Sequence, residues 1–278
     1  MRKKLPSMAV LLCLLLIPLC AAQAGDCSNL TPWGQPTLSD ARPVTVLCRT
    51  AYVSAHDDQR LVPDWVAWIV TPEHAIGCLD RTNNFAADPD LPADHRAKPS
   101  DYAKSGYDQG HFAPAQDFSY SPETESESFY MSNMSPQLPA LNRFGWEQVE
   151  AQTREWARSG LYGMLYVMDG PIFGPDPRTI GEDHVAVPDA YWKVIVSPST
   201  GKAMAFIMPN APVAKREADG EVVAIADIER QAGISIPVPE GIDKSQAATA
   251  WPADLPAYTK AKKATCSHPA TAKVKFEP

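Results

Sequence analysis

Asp108-Gln109-Gly110-His111 is the most informative stretch of this 278-residue chain, because a second polar segment follows it at some distance. That segment reads LNRFGWEQVEAQTREWARSG over residues 141–160. A histidine that follows a glycine carries little information alone, since a short motif matches by chance unless a structural context accompanies it. A helix-forming segment with complementary chemistry is such a context. We therefore treat His111 as a candidate catalytic base.

The second segment is predicted to form a helix. It is rich in helix formers, Asn142 can serve as its N-cap, and Gly160 is a stop signal. Residues 142, 146, 150 and 154 are spaced four apart, so their side chains share one face. This face would carry an amide oxygen for a hard cation, an aromatic ring, a carboxylate and a guanidinium suited to phosphate. The alternative is an amphipathic helix on which Glu150 and Arg154 form a solvated pair.

Several further blocks of the chain between residues 65 and 235 share an order and spacing with one enzyme family. They are Asn83-Asn84-Phe85 to Asp88, residues 105–111, residues 129–137, Leu141-Asn142 with Trp146, Asp169-Gly170-Pro171, residues 184–188 with Lys193, and residues 208–211. On these blocks the chain resembles the DNA/RNA non-specific endonucleases of the ββα-metal (His-Me finger) class, particularly the endonuclease G group. The resemblance implies a metal-dependent endonuclease that hydrolyses phosphodiester bonds in DNA, and in RNA, with little sequence specificity.

The resemblance also implies roles for individual residues. His111 matches the general base, Asn142 the metal ligand and Glu150 the carboxylate that holds water around the ion. The positions assigned to substrate binding or its support are Arg154, Gln109, Asn133, Gln137 and Trp146.

Two positions depart from the family pattern. Gln109 stands where the family usually has arginine, which removes a positive charge beside the base. The upstream arginine that stabilises the phosphate in the family matches Asn83, so we assign its role to Arg81, two residues earlier.

The proposed chemistry is consistent with these residue types. A neutral imidazole near pKa 6.5 is a competent base at neutral pH, and positioned proton transfer contributes about 10² to 10⁴-fold. A divalent ion held by a single asparagine keeps most of its waters, which fits Mg²⁺, with Mn²⁺ as a substitute. Glu150 and Asp108 are then expected to hold those waters.

Two other functions remain open at this stage. The same centre could act as a phosphodiesterase on small nucleotides if loops closed the cleft. A nucleic-acid-binding protein without catalysis is the second alternative, although the presence of both His111 and Asn142 argues against it.

Residues 1–24 are predicted to be a signal peptide. Arg2, Lys3 and Lys4 precede an apolar run that ends in a small-residue cleavage site, and the run is too short to span a membrane. Residues 25–278 would then form a single nuclease domain, secreted or periplasmic and without a membrane segment. The oligomeric state stays open, a homodimer included.

Cysteine usage agrees with an oxidising compartment. Four cysteines remain beyond the leader, at positions 27, 48, 78 and 266, and we expect two disulfides among them. Four cysteines allow 3 pairings, and the sequence does not choose between them. A zinc site is the less favoured alternative, because the chain has no Cys-x-x-Cys.

The charge of the chain does not favour general attraction to nucleic acid. Without the three cations of the leader, 22 basic residues stand against 33 acidic ones, a net charge of −11. Since binding to the phosphate backbone depends on local Lys and Arg contacts, any cleft must be locally basic. Candidate cations near the motifs are Arg81, Arg96, Lys98, Lys104, Arg143, Arg154, Arg158 and Lys193.

The remaining sequence indicates an α+β fold. Apolar stretches at residues 65–70, 162–168, 191–196 and 203–208 are predicted strands, and 27 prolines with many polar residues mark the loops. We therefore expect a mostly antiparallel sheet flanked by helices, with a ββα-metal catalytic motif.

Overall fold

The computed structural model describes residues 27–40 and 42–267. The predicted leader at residues 1–24 and the terminal lysines Lys273 and Lys275 lie outside these ranges. Within them, no helix combines the length and apolar character needed to cross a bilayer.

A seven-stranded sheet in the order β12-β11-β10-β7-β4-β3-β2 forms the centre of the molecule, and every neighbouring pair is antiparallel. The strands are β1 (Thr37–Leu38), β2 (Val44–Cys48), β3 (Tyr52–Asp57), β4 (Val62–Val70), β5 (Asp108–His111), β6 (Met134–Gln137), β7 (Leu165–Ile172), β8 (Thr179–Ile180), β9 (Val185–Ala186), β10 (Ala190–Ser197), β11 (Lys202–Pro209), β12 (Val222–Val223) and β13 (Ile234–Ser235). The helices are α1 (Pro99–Tyr102), α2 (Pro122–Glu127), α3 (Glu147–Ser159), α4 (Ile225–Ala232) and α5 (Leu255–Cys266).

The four predicted strands correspond to β4, β7, β10 and β11. β10 and β11 extend one residue beyond the prediction at each end, β4 begins at Val62 instead of residue 65, and β7 covers Leu165–Ile172 instead of residues 162–168. β7 begins after Gly163, which adopts a φ of +63° that a strand does not allow.

The sheet is covered on both faces because its central strands alternate. In β4, Trp65 and Ala67 point into one apolar cluster, while Val66 and Trp68 point into the other. Helix α3 packs on the second face through residues such as Trp156, and α4 packs on the first. The prediction of an α+β fold with an antiparallel sheet flanked by helices is confirmed.

The catalytic motif forms a separate hairpin followed by a helix. β5 pairs antiparallel with β6, and a π-helical turn at Leu141–Trp146 leads directly into α3. Gly160 ends α3 with a φ of +73°, as its stop signal predicts. Asn142 is not the N-cap that we expected: the chain is already helical there, and the Asn142 backbone N–H donates to the Leu138 carbonyl at 2.9 Å.

The structure also selects the disulfide pairing. Cys27 bonds to Cys48, and Cys78 bonds to Cys266 across 188 residues of sequence. The second bond ties α5 to the segment just before Arg81. Two disulfides are therefore confirmed, and among the described residues no group of three or more His, Cys, Asp or Glu side chains is arranged to hold zinc.

Candidate active site

The β5-β6 hairpin presents His111 at its end. Gly110 is required within this hairpin, because a Cβ at that position would lie 2.5 Å from both Cβ and Oε1 of Gln137. Gln137 is buried and crosses over the glycine from β6. The glycine of the motif therefore allows close packing of the two strands, which fixes the position of the histidine that follows it.

His111 is buried, with 8 % of its surface exposed. Its Nε2 atom has no hydrogen-bond partner among the described residues, whereas the ring makes a hydrogen bond to the backbone of Gln109. The rings of Phe85 and Phe129 pack edge-on against the imidazole, with centroids at 5.7 and 5.1 Å. The ring is thus held from several sides while one nitrogen stays available.

The protonation of His111 follows from this setting. Burial and, second, the positive charge of Arg81 hold the pKa of His111 well below its usual value, against the hydrogen bond from the ring to the Gln109 backbone. The imidazole is therefore neutral at neutral pH. A neutral ring that donates to a carbonyl through one nitrogen presents a lone pair on the other, which is the form that a general base requires.

Arg81 lies at the edge of the same site. Its guanidinium stacks over Phe129 at 4.7 Å and donates through Nε to Asn83 Oδ1 at 2.7 Å. Its charge acts on both His111 and Glu150. The position two residues upstream of the family match thus supplies a cation to this centre, and Asn83 orients it.

Asn142 reaches the hairpin from the π-helical turn. Its Nδ2 donates to Asp108 Oδ2 at 2.9 Å, so its Oδ1 must point away from that carboxylate. Arg143 also grips Asp108, through Nε at 2.8 Å and Nη2 at 2.7 Å. Partial burial acts to raise the pKa of Asp108, but the hydrogen bonds from Arg143 and Asn142 outweigh burial and lower this pKa. Arg143 was one of the candidate cations of the cleft, but its pairing with Asp108 was not anticipated, because the two residues lie 35 apart in sequence.

Glu150 is half-buried on α3 and its carboxylate makes no hydrogen bond among the described residues. Burial raises its pKa to about 8, although the charges of Lys193 and Arg154 act in the opposite direction. Because burial makes the Glu150 carboxylate costly to ionise, a cation nearby would stabilise its charged form.

These atoms fit a hard divalent cation held by few protein ligands. The Asn142 amide is oriented by Asp108, and within residues 27–40 and 42–267 neither the Glu150 carboxylate nor the buried His111 Nε2 atom has a hydrogen-bond partner. Oxygen ligands with a second carboxylate close by suit an ion that keeps much of its hydration shell.

Three residues predicted to contact or support substrate binding belong to the framework. Trp146 is 1 % exposed and its Nε1 donates to the His111 carbonyl at 3.3 Å. Asn133 is fully buried and joins the backbone of Ala113 to that of Ser128. Gln137 fills the space over Gly110. A substrate contact through Trp146 is thus a correction to our expectation, since the ring is enclosed by the protein core.

Arg154 requires the same correction. Its side chain is 5 % exposed, and Nη1 lies 2.9 Å from Asp117 Oδ1. The other Asp117 oxygen accepts a hydrogen bond from Trp68 Nε1 at 2.9 Å. With both charges enclosed, Arg154 does not reach a phosphate at the surface, and it acts on the site through its electrostatic effect on Glu150.

Lys193, one of the candidate cleft cations, is likewise buried. It forms an ion pair with Asp169 and its Nζ lies 4.7 and 4.5 Å from the ring centroids of Trp68 and Trp146. Burial raises the pKa of Asp169 to about 7 against the charge and hydrogen bond of Lys193. The Lys193–Asp169 pair therefore lies against the Trp146 ring, whose Nε1 donates to the His111 carbonyl.

Gln109, the departure from the family pattern, is half-buried. Its Nε2 lies 3.9 Å from the Met131 sulfur, and its backbone hydrogen-bonds the His111 ring. The main chain of Gln109 therefore orients the His111 ring, and this role does not depend on the Gln109 side chain.

Comparisons with known proteins agree with this geometry. A family model described as DNA/RNA non-specific endonuclease matches residues 35–239. Mitochondrial endonuclease G from Homo sapiens is 34% identical over 221 residues, which cover 74% of this chain and 72% of the relative. A nuclease from Nostoc sp. is 31% identical over 200 residues, 68% of this chain and 71% of the relative. A solved structure of an EndoG/EndoGI complex superposes with a TM-score of 0.68 at 29% identity, covering 75% of this chain and 90% of that one.

Proposed function

Because the chain belongs to the DNA/RNA non-specific endonuclease family, it is a metal-dependent nuclease, and we propose that the His111 centre is where it hydrolyses phosphodiester bonds. The observation that carries this proposal is the buried Nε2 of His111, which has no hydrogen-bond partner in the part of the chain that the structure describes and lies near the cation Arg81. A catalytic base needs a free lone pair near the phosphate that water attacks.

The steps assigned to protein groups are as follows. His111 Nε2 takes a proton from the attacking water as the new P–O bond forms and the bond to the leaving oxygen breaks. The hydrogen bond to the Gln109 backbone keeps the ring in the correct tautomer, and Trp146 holds the His111 carbonyl. Arg81 neutralises charge that develops on the non-bridging oxygens.

We propose Mg²⁺ as the divalent ion, with Asn142 as its protein ligand. When bound, such an ion supplies charge neutralisation at the phosphate and at the leaving oxygen. Glu150 would accept hydrogen bonds from the hydration shell of the ion, and Asp108 keeps the Asn142 amide in the orientation that binding needs. Mn²⁺ is expected to substitute because it accepts the same oxygen ligands.

Plasmid cleavage tests the proposal. Purified protein should nick supercoiled plasmid and degrade RNA with Mg²⁺, and EDTA should stop both reactions. His111→Ala should lower the rate by about 10² to 10⁴-fold with folding intact. His95→Ala is the matched control, because that side chain is 46% exposed and its acidic neighbours are Asp58 and Asp94, which have no role in the proposed site.

A well-folded His111→Ala protein that nicks plasmid at the wild-type rate would remove this residue from the mechanism. Hydrolysis of dinucleotides without cleavage of plasmid would favour the small-nucleotide phosphodiesterase instead. Binding of nucleic acid with no hydrolysis of either substrate would favour the inactive binding protein.

We also propose that residues 25–278 act as one domain in the periplasm or outside the cell after removal of residues 1–24. The leader pattern and the two disulfides support this location. The similar proteins include mitochondrial nucleases and a bacterial nuclease. N-terminal sequencing of the protein from an exporting host should begin near Gly25, and an intact Met1 would contradict the proposal.

A further inference from the structure

Phe144 is an aromatic side chain that the structure leaves half exposed, close in sequence to the proposed metal ligand. Among the described residues, two large apolar side chains are exposed, Phe144 at 50 % and Leu161 at 69 %. Phe144 lies in the π-helical turn, two residues after Asn142. π-Helical turns are rare and occur frequently at functional sites, so an exposed ring within one requires an explanation.

The ring borders a cavity of about 590 Å³, which we call the Phe144 cavity. Its other walls are Ala140 and the segment 212–217. The Gly145 N–H donates to the Val213 carbonyl at 2.9 Å, and a Cβ on Gly145 would lie 2.7 Å from Val213 Cγ1. The segment is therefore pinned against the helix through a glycine, so the cavity is preformed. Its volume lies in the range of small-molecule sites and accommodates one nucleotide base.

Cations surround this cavity. Lys215 and Arg216 line it, and Arg143 neighbours Phe144 on the helix, with side chains 48%, 87% and 65% exposed. Two carboxylates accompany them: Glu147 pairs with Lys215, and Glu217 accepts from the Ala214 backbone N–H at 3.1 Å. Arg216 has only a 3.7 Å ion pair with Glu217 and is the least constrained of the three.

The side of the site beyond Arg81 has the opposite charge. A cavity of about 930 Å³ there is lined by four carboxylates, those of Asp80, Glu123, Glu125 and Glu127. These carboxylates would repel a phosphate backbone on this side of the site, whereas the exposed cations near Phe144 would attract one. The charge distribution thus favours one direction for the substrate chain.

We propose that the Phe144 cavity binds an unpaired nucleotide of the substrate strand, on the other side of the π-helical turn from the Asn142 side chain. The base stacks on the Phe144 ring, and the flanking phosphates contact Lys215 and Arg216. This inference rests on the proposed function. It implies a preference for single-stranded or locally unpaired nucleic acid, because paired bases in a duplex do not offer a face to the ring.

Fluorescence of 2-aminopurine tests the stacking. The base is placed within a single-stranded DNA oligonucleotide and titrated with the His111→Ala protein, in which cleavage is suppressed. We expect quenching on binding, and Phe144→Ala in the same background should abolish the quenching and weaken binding by about tenfold. Phe144→Trp should restore both, and blunt duplex DNA should bind equally to all three proteins.

Leu161→Ala is the matched control, since it removes the other exposed apolar side chain and should leave quenching and affinity unchanged. Replacing Arg216 with glutamine should reduce the log-log salt slope of single-strand binding by about 0.7 if it contacts one phosphate. Equal affinity and equal quenching for the Phe144→Ala protein would overturn the inference. A dimer that dissociates on Phe144→Ala, with unchanged oligonucleotide binding, would also overturn it by assigning the ring to a second copy.

The plasmid assay tests the proposed nuclease function independently of the nucleotide subsite at Phe144. A wild-type protein that nicks plasmid but shows no Phe144-dependent quenching would refute only the subsite. A protein that shows the quenching but hydrolyses nothing would refute only the nuclease mechanism.

Discussion

Replacing Arg154 with methionine would distinguish a framework arginine from a substrate-binding one. Both Arg154 and Asp117 have side chains at most 5% exposed, with Nη1 and Oδ1 at 2.9 Å. Methionine preserves most of the side-chain length but leaves Asp117 charged, with Trp68 Nε1 as its remaining donor. Loss of one partner from a buried ion pair costs about 3–5 kcal/mol, because the other charge stays uncompensated.

The expected result is a large loss of stability with little change in substrate affinity. For a chain of this size, each kcal/mol lowers Tm by about 2–4 °C, so Arg154→Met should lower Tm by roughly 6–20 °C. Thermal and urea unfolding followed by circular dichroism measure this loss. The Michaelis constant for plasmid, measured well below the new Tm, should stay within a factor of about two, since no phosphate contact is removed.

Two further variants control this experiment. Arg158→Met, on the same helix, removes a 27% exposed guanidinium whose ion pair with Glu155 is 3.7 Å long, and should cost less than about 1 kcal/mol. Asp117→Asn combined with Arg154→Met should recover part of the stability, because no unpaired charge remains. An Arg154→Met protein with normal Tm and a strongly raised Michaelis constant would show that Arg154 reaches the phosphate and would refute our reasoning.

Three other predictions concern the site itself. Asn142→Ala should raise the Mg²⁺ concentration for half-maximal activity at least about tenfold, because the proposed direct ligand is lost, and an unchanged midpoint in a Mg²⁺ titration would place the ion elsewhere. At saturating metal, the acid limb of kcat/KM should lie below pH 6.5. Because the pKa of His111 is lowered, the base stays neutral through the usual histidine range, and activity is lost only at lower pH. Arg81→Gln should move that limb to higher pH, since it removes a charge that lowers the pKa, and a limb that stays in place in the pH–rate profile would separate Arg81 from the base.

Much of the site could be predicted from local sequence because its parts are local. Hydrogen bonds within the hairpin place His111 next to β6, and the helix that follows brings Asn142 and Glu150 to the same side. The helix is indicated by the spacing of its residues and by its stop signal, which can be identified without knowing the rest of the chain. The ββα motif was expected from the resemblance to the family, and four of the seven strands of the central sheet were predicted from their apolar runs.

Assignment of the charged residues was less successful. Arg154 and Lys193 looked like candidates for a basic cleft, but both are buried opposite carboxylates that come from distant segments, Asp117 and Asp169. Nothing in the neighbouring sequence distinguishes an arginine with a buried partner from one that faces solvent. Arg143, another of the candidate cations, is exposed, and its partner Asp108 likewise comes from a distant segment of the chain.

The sequence by itself therefore determined which chemical groups this protein has for catalysis and their order along the hairpin and helix. Only the tertiary structure decided which cations are exposed to a substrate, which disulfides form, and that Trp146 supports His111 from below. The physical reason is that hairpin and helix geometry follow from near neighbours in sequence. Burial and ion pairing depend on how the seven-stranded sheet brings segments together that are far apart in the chain.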